Sequence, residues 1–147
     1  MPSLCGNYRP DVGPLISVTI VDLAALQNGG NPPSGLKMYQ ALIDTGASST
    51  CLSAKVVSEA GLVPTGKTMM QGATGASATN QYSFGVGFPF NQRVEPSGTA
   101  TFDMEVKAVQ GLEFASAGGA FEILLGRDII CQGVLTLSWD GHFSLSF

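Results

Sequence analysis

The sequence predicts an all-β domain, and three features support this fold class. The 147 residues include 19 glycines without a three-residue period, which is typical of a chain with many turns. Residues Thr99–Val109 alternate apolar and polar side chains, as in a strand with one exposed face. Asp140-Gly141 lies between two apolar segments, 134–139 and 142–147, and predicts a two-residue hairpin turn. The length and the 44% hydrophobic content suit one domain with a substantial core.

The composition excludes several classes of partner. Lys and Arg total 7, are scattered along the chain and leave a net charge of −4, so we expect no nucleic-acid partner. No apolar run approaches the roughly 18 residues of a membrane-spanning helix. No signal peptide is visible at the start of the sequence. We therefore expect no membrane partner and a cytoplasmic location.

The cysteines and the histidine give little sign of thiol or metal chemistry. Cys5, Cys51 and Cys131 are odd in number, far apart and outside any Cys-x-x-Cys pair, which favours a reducing compartment over a disulfide framework. His142 is the only histidine, and it follows a predicted turn. We expect no metal site, and we expect Cys51 and Cys131 to be small buried hydrophobic residues.

Local patterns predict the remaining elements. Three prolines, at positions 2, 10 and 14, predict an irregular arm over residues 1–14. Ser53 is a suitable N-cap for a short helix over residues 54–60, which Gly61 would end. The other predictions are strands over 15–21 and 37–43, loops over 27–36 and 115–120, a hairpin with arms 67–71 and 79–90, a polar turn over 91–97, and a strand over 121–125 that leads to a short helix at Arg127.

An aspartate lies at the end of the second predicted strand, where carboxylates are uncommon. The apolar run Ala41-Leu42-Ile43 leads directly into Asp44, and Thr45-Gly46-Ala47 then form a turn. Two interpretations are open. Asp44 is either an ordinary turn residue that caps the following segment, or a catalytic carboxylate held on a stiff turn.

A second notable segment, Ile123-Leu124-Leu125-Gly126-Arg127-Asp128, joins an apolar strand to a helix start. Together with Leu42-Ile43-Asp44-Thr45-Gly46-Ala47-Ser48, it resembles the two signatures of retropepsin-type aspartic proteases, and most of all the stand-alone bacterial ones. The order of the segments, with a glycine-containing hairpin between them, agrees as well. The resemblance covers residues 15–147, which we predict to be the protease domain. It implies an all-β, closed acid-protease-like barrel with one or two short helices and a β-hairpin flap.

The chemistry of such enzymes constrains their assembly. Two carboxylates share one proton across a short gap: the ionised one activates a water, and the protonated one polarises the scissile carbonyl. Among the 11 acidic residues, only Asp44 lies in an Asp-Thr-Gly sequence. The resemblance therefore implies a symmetric homodimer with one Asp44 per subunit, an inactive monomer, a peptide or protein substrate, and no cofactor.

The resemblance also implies roles for individual residues. Thr45 would hydrogen-bond across the dimer, and the Gly46 carbonyl would bind the substrate backbone. Ser48 departs from the retroviral pattern, which has an acidic residue there, so the partner of Arg127 is left open. The predicted site residues are Asp44, Thr45 and Gly46 for catalysis; Ala47, Ser48, Gly72, Ala73, Thr74, Gly75 and Leu124 for substrate binding; and Leu125, Gly126 and Arg127 for support of the site, with no metal ligand.

Other functions are compatible with the same fold. The domain would also suit a catalytically silent dimeric module that binds peptides or acts as a scaffold, or a protease restricted to its own precursor or to one partner. The intact Asp44-Thr45-Gly46 sequence favours activity. The terminal hairpin over residues 134–147 is a candidate for the sheet through which two such subunits dimerise.

Overall fold

The computed structural model describes residues 1–24, 36–72, 75–115 and 118–147. The described residues are mostly β-strand and include two complete short helices. The strands are β1 (Ser3–Asn7), β2 (Leu15–Val21), β3 (Met38–Ile43), β4 (Cys51–Ser53), β5 (Gly66–Gly72), β6 (Gly75–Val94), β7 (Ala100–Phe114), β8 (Ile123–Leu125), β9 (Val134–Leu137) and β10 (His142–Ser146); the helices are α1 (Ala54–Glu59) and α2 (Arg127–Ile130).

Most of the predicted strands, and both predicted helices, are confirmed. The N-cap of α1 is Ser53, whose Oγ accepts a hydrogen bond from Val56 N at 3.4 Å. Gly61 follows the helix at a φ of +65°, a left-handed conformation that glycine adopts readily. The turn of the last hairpin is longer than the two residues predicted, because Ser138 N donates to His142 O.

The larger sheet determines where the site lies. Its strand order is β2-β3-β8-β4-β7-β6-β5, and β2 also pairs with β6. Strand β2 is antiparallel to β3, with Leu15 opposite Leu42, whereas β8 is parallel to β3, with Leu125 opposite Ile43. The start of β2 and the ends of β3 and β8 therefore lie side by side at one end of the strands. This row of strand ends is called the Asp44 edge.

The core is formed by the strands of the larger sheet together with α1, α2 and β10. Phe84, Phe88, Leu52 and Leu125 are among its fully buried side chains. Gly111, on β7, leaves room for one of them: a Cβ at this position would lie 2.5 Å from the Phe84 ring. Apolar side chains of this size each contribute roughly 1.5–3 kcal/mol when buried, so the core accounts for much of the stability of the domain.

The N-terminal arm contains a strand, so the irregular structure predicted for residues 1–14 is wrong over part of that range. Strand β1 pairs with β10, with Leu4 opposite Leu145, and β10 pairs with β9. Pro2 and Pro10 lie outside the strand and so do not interrupt its hydrogen bonds. The pairing comes from the other end of the chain, which local sequence patterns do not reveal.

The hairpin between β6 and β7 is longer than predicted. The polar turn predicted over 91–97 is too wide, because β6 continues to Val94 across a bulge between Phe90 and Arg93. Asn91 has a φ of 51° in this bulge. The turn itself contains fewer residues than predicted, and Glu95 N donates a hydrogen bond to Thr99 O across it.

Parts of the predicted loops and hairpin tip lie outside the described residues. These are most of the loop over 27–36, residues 116 and 117 of the loop over 115–120, and hairpin-tip residues 73 and 74. No helix in the described ranges combines the length and the apolar character needed to cross a membrane.

The terminal sheet is anchored to the core by Leu145, and this gives the first prediction. Leu145 is fully buried, whereas Leu137 in the same sheet is 47% exposed. We expect Leu145→Ala to lower the free energy of unfolding by about 2–5 kcal/mol, because it leaves a cavity. Leu137→Ala is the matched control and should cost less than about 1 kcal/mol. Urea unfolding at one protein concentration measures both, and equal losses would contradict the proposed anchoring.

Candidate active site

Asp44 follows β3 directly and begins a tight turn. Its side chain is half-exposed, and its Oδ1 accepts a hydrogen bond from Gly46 N at 2.8 Å. Its carbonyl oxygen accepts another from Ala47 N at 3.2 Å. This local geometry alone does not identify a catalytic residue, because Asp22 makes a similar contact, with Ala24 N at 2.9 Å.

The Asp44 turn is fixed by the segment between β8 and α2. Asp44 N donates to Leu125 O at 3.0 Å, and Arg127 N donates to Ala47 O at 2.9 Å. Gly126, between these contacts, has no room for a side chain, since a Cβ would lie 2.5 Å from the backbone of Ser49. The two signature segments are thus in direct backbone contact, which fits the supporting positions predicted for residues 125–127.

A carboxylate and a hydroxyl that the sequence analysis did not select hold the end of the turn. Thr50 is fully buried, and its Oγ1 donates to Asp128 Oδ1 at 2.7 Å while its N–H donates to Asp128 Oδ2 at 2.8 Å. The same Oγ1 accepts a hydrogen bond from Gly126 N at 3.1 Å. Ile129 N also donates to Asp128 Oδ1 at 2.9 Å, so this half-buried carboxylate is surrounded by donors.

The sequence contains a signal for this contact. Thr50 is a small hydroxyl residue immediately before a strand, and Asp128 lies at the start of α2, where carboxylates are favoured. In the sequence, Asp128 is apparent only as part of a helix start. In the structure the Asp128 carboxylate, and not the Arg127 side chain, ties α2 to the turn.

The described residues provide no side-chain partner for Arg127, which the sequence leaves open. Arg127 is exposed, and its guanidinium has no hydrogen bond or ion pair with any other residue in the described ranges. Ser48, at the position where the retroviral pattern has an acid, is exposed too. The supporting contact of Arg127 is therefore made by its backbone alone.

The predicted substrate-binding residues fall into two groups. Ala47 and Leu124 are half-buried beside the Asp44 turn, with Leu124 opposite Leu42 in the sheet. Gly72 and Gly75 pair with each other at the tip of the β5–β6 hairpin, and residues 73 and 74 lie outside the described residues. None of the hydrogen bonds among described residues connects this tip to the turn.

Cys51 carries the thiol next to the turn, and its environment disfavours the thiolate form that a nucleophile needs. Burial, and to a lesser extent the charges of Asp128 and Asp44, raise the pKa of the Cys51 thiol to about 11. His142 lies in the terminal sheet, 3.1 Å from Asp140. The burial predicted for Cys51 is confirmed, whereas that for Cys131 is wrong because Cys131 is exposed after α2. The described residues contain no cluster of three or more potential metal ligands.

The family model for aspartyl proteases matches residues 25–129, which include both the Asp44 turn and the segment 124–127. The chain belongs to the aspartyl protease family. Among solved structures, it is similar to a retropepsin-like aspartic protease from Rickettsia conorii, with a TM-score of 0.54 and 13% sequence identity. The alignment covers 99% of this chain and 90% of the other. No curated protein sequence gives a significant match.

The comparison defines the fold of this aspartyl protease as retropepsin-like, in agreement with the resemblance that the sequence indicates. At 13% identity, the similarity extends to the fold and not to individual residues. The roles assigned above to single site residues therefore stay predictions.

The environment of Cys51 predicts selective alkylation. At pH 8 iodoacetamide should modify the exposed Cys5 and Cys131 and spare Cys51, because the thiolate is the reactive form and the raised pKa keeps this thiol protonated. Modification of Cys51 should increase only as the pH approaches about 11. Mass spectrometry of the native and the urea-unfolded protein measures each site. Rapid labelling of native Cys51 at pH 8 would contradict this account.

The Thr50 contacts predict the cost of removing one hydroxyl. Thr50→Val keeps the shape of the side chain but leaves Gly126 N without its acceptor and takes one donor from Asp128. We expect the free energy of unfolding to fall by about 1–3 kcal/mol. Thr50→Ser retains the hydroxyl and should recover most of this loss. Equal stability of the valine variant and the wild type in urea unfolding would show that the contacts contribute nothing.

Proposed function

We propose that the protein is an aspartic endopeptidase whose active site forms between two copies of the chain, each of which contributes Asp44. Hydrolysis of this type needs two neighbouring carboxylates, and the sequence has one Asp-Thr-Gly segment. A second copy related by a two-fold axis supplies the missing group. The monomer is then inactive, and its activity depends on protein concentration.

The observation that carries this proposal is the state of the Asp44 carboxylate. The surrounding backbone is fixed at both ends of the turn, yet the carboxylate has one hydrogen bond among the described residues, from Gly46 N to Oδ1. Oδ2 has no partner there, and Asp44 as a residue is half-exposed. The Asp128 carboxylate, by contrast, accepts three hydrogen bonds from protein donors.

The proposed mechanism follows from like-charge repulsion. Two Asp44 carboxylates at short distance cannot both ionise, so the pair holds one proton. The ionised member takes a proton from a water, which attacks the scissile carbonyl carbon. The protonated member donates its proton to the carbonyl oxygen, and proton transfer to the departing amine then breaks the C–N bond. No step requires a metal or a covalent intermediate with the enzyme.

Substrate binding is proposed to use the residues around the turn and the β5–β6 hairpin. An extended peptide would add as a strand, with its backbone bonded to the Gly46 carbonyl and to the hairpin tip at residues 72–75. Ala47 and Leu124 would line the pockets next to the scissile bond. The hairpin would act as a flap that excludes water from the reaction. Thr45 is exposed, which leaves its hydroxyl available to the second copy.

The pairing of β2 with both β3 and β6 supports a closed barrel as the frame of this site. A closed sheet has no free edge between these strands, which would keep the base of the β5–β6 hairpin and the Asp44 turn in a fixed relation. The rigid base would leave hairpin movement as the main motion needed for substrate entry.

Replacing Asp44 tests the proposal. The wild type should cleave members of a peptide library at acidic or neutral pH and should sediment as a dimer. Asp44→Asn should lower the cleavage rate by about 10⁴-fold or more, because the asparagine can neither ionise nor share a proton; replacing the aspartate of a serine-protease triad, which has a different role, causes a loss of about this size. Asp22→Asn is the matched control, since Asp22 makes the same type of turn, and it should retain activity.

Several outcomes would refute the proposal. Cleavage that survives in Asp44→Asn would rule out the aspartic mechanism. An active wild type that stays monomeric would rule out the shared site. A dimer that binds peptides and cleaves none of them would favour the catalytically silent module instead.

A further inference from the structure

Three chain segments meet at the edge of the sheet that carries Asp44. The strand order there is β2-β3-β8. Residues 9–14 lead into β2 and contact the end of β3, since Ile43 N donates to Pro14 O at 3.0 Å. Strand β8 ends at the same edge, followed by Arg127. Along this row of strand ends, the 9–14 loop comes first, the Asp44 turn lies in the middle, and Arg127 comes last.

The 9–14 loop carries a carboxylate in a defined position. Asp11 accepts two hydrogen bonds from the Arg9 guanidinium, at 3.0 and 2.6 Å, and its side chain is 60% exposed. The loop is closed by Gly13 N, which donates to Arg9 O at 2.8 Å. Gly13, at a φ of +90°, lies against Leu42 of β3. The carboxylate therefore projects from a short turn fixed beside the Asp44 strand.

Arg127 carries an exposed charge without a partner on the opposite side of the Asp44 turn. Its backbone is held by Ala47 O, but its guanidinium has no hydrogen bond or ion pair within the ranges described. One flank of the catalytic turn thus presents a cation, and the other presents a carboxylate that already binds one arginine. A carboxylate has room for a second, because its two oxygens offer about four acceptor sites.

Two limiting two-fold arrangements bring the Asp44 turns of two copies together at this edge. With the axis along the edge, each segment faces its own copy, so that Arg127 opposes the partner's Arg127 and the charges repel. With the axis normal to the sheet, the order of segments is reversed in the second copy. The 9–14 loop of each subunit then faces the partner's Arg127, and the Asp11 carboxylate, which already pairs with Arg9 of its own loop, can accept the partner's guanidinium as well.

We propose that Asp11 of each subunit pairs with the partner's Arg127, so that two symmetric ion pairs flank the two Asp44 carboxylates. This inference rests on the proposed homodimer and specifies its orientation. Asp11 then supplies in trans the acid that Ser48 does not supply in cis. The occupant of this edge is a second copy of the same chain, selected by charge complementarity.

Charge reversal in two separate chains tests the pairing. Arg127→Glu alone and Asp11→Lys alone each place like charges at both pairs of their homodimers. We expect each change to raise the dimer Kd by about tenfold or more, with a matching loss of peptide cleavage at low protein concentration. In an equimolar mixture, the heterodimer has two pairs of opposite charge: one joins the two substituted side chains, and the other joins the native Arg127 and Asp11. Dimerisation and cleavage should return to near the wild-type level.

The equimolar mixture of the two variants distinguishes the proposed pairing between subunits from a pairing within one chain and from a contact of Arg127 with its own copy. An ion pair within one chain would give no rescue on mixing, which would overturn the inference. If Arg127→Glu instead dimerises best with wild type, Arg127 faces its own copy and the inference is also wrong. Charge reversal at Arg93 and Asp103, an exposed pair on the β6–β7 hairpin, is the control and should leave the dimer Kd unchanged.

Two further measurements keep the result interpretable. Circular dichroism checks that each variant is folded; where a reversal unfolds the chain, Asp11→Asn and Arg127→Gln replace it and should weaken the salt dependence of the dimer Kd. Unchanged salt dependence in these variants would contradict the pairing. A wild type that is monomeric, or that cleaves without Asp44, would refute the proposed function. An active dimer in which the reversals have no effect would refute only this inference.

Discussion

The parallel pairing of β3 with β8 is the interaction on which the site depends. It joins two segments far apart in sequence, and it places Leu125 O where Asp44 N can donate to it. Without this pairing, a strand would end in a charged residue with unsatisfied backbone groups at the edge of the core, which is costly. The pairing also explains why Gly126 follows the strand, since the Asp44 turn folds back against its Cα.

A second set of contacts makes the arrangement rigid. The Thr50 hydroxyl acts as donor to Asp128 and as acceptor from Gly126, so a single side chain connects the end of the turn to both β8 and α2. Every contact of the Asp128 carboxylate comes from a donor, which is the condition under which a partly buried charge stabilises instead of destabilising. The turn that carries Asp44 is therefore fixed mainly by its neighbours, and the Asp44 carboxylate itself makes one hydrogen bond among the described residues, from Gly46 N.

The sequence predicted what is determined locally. The N-cap at Ser53, the strand that ends in Asp44 and the glycine before α2 each have a signal within a few residues, and each was found. Contacts between distant segments were missed. Strand β1 exists because β10 pairs with it, and the Thr50–Asp128 contact exists because β3 and β8 lie side by side. Strand β1 carries no periodicity or turn motif that would indicate its partner, and the signals at Thr50 and Asp128 are each local and do not reveal that the two residues meet.

The distribution of unsatisfied groups supports a chain that is one half of an assembly. Within the described residues, most cationic side chains have an acidic partner, for example Lys37 with Glu59 and Lys55 with Glu122. Arg127 and Lys67 are the two described Lys and Arg side chains without an ion pair, and Arg127 lies at the Asp44 edge, where one oxygen of the Asp44 carboxylate also lacks a hydrogen-bond donor among the described residues. Covering this edge with an apolar partner would bury unpaired charges at a cost of several kcal/mol. A second copy with the reversed order of segments brings an opposite charge to each Arg127, and a second carboxylate to share a proton with Asp44. The same symmetry that completes the chemistry therefore lowers the electrostatic cost of forming the interface.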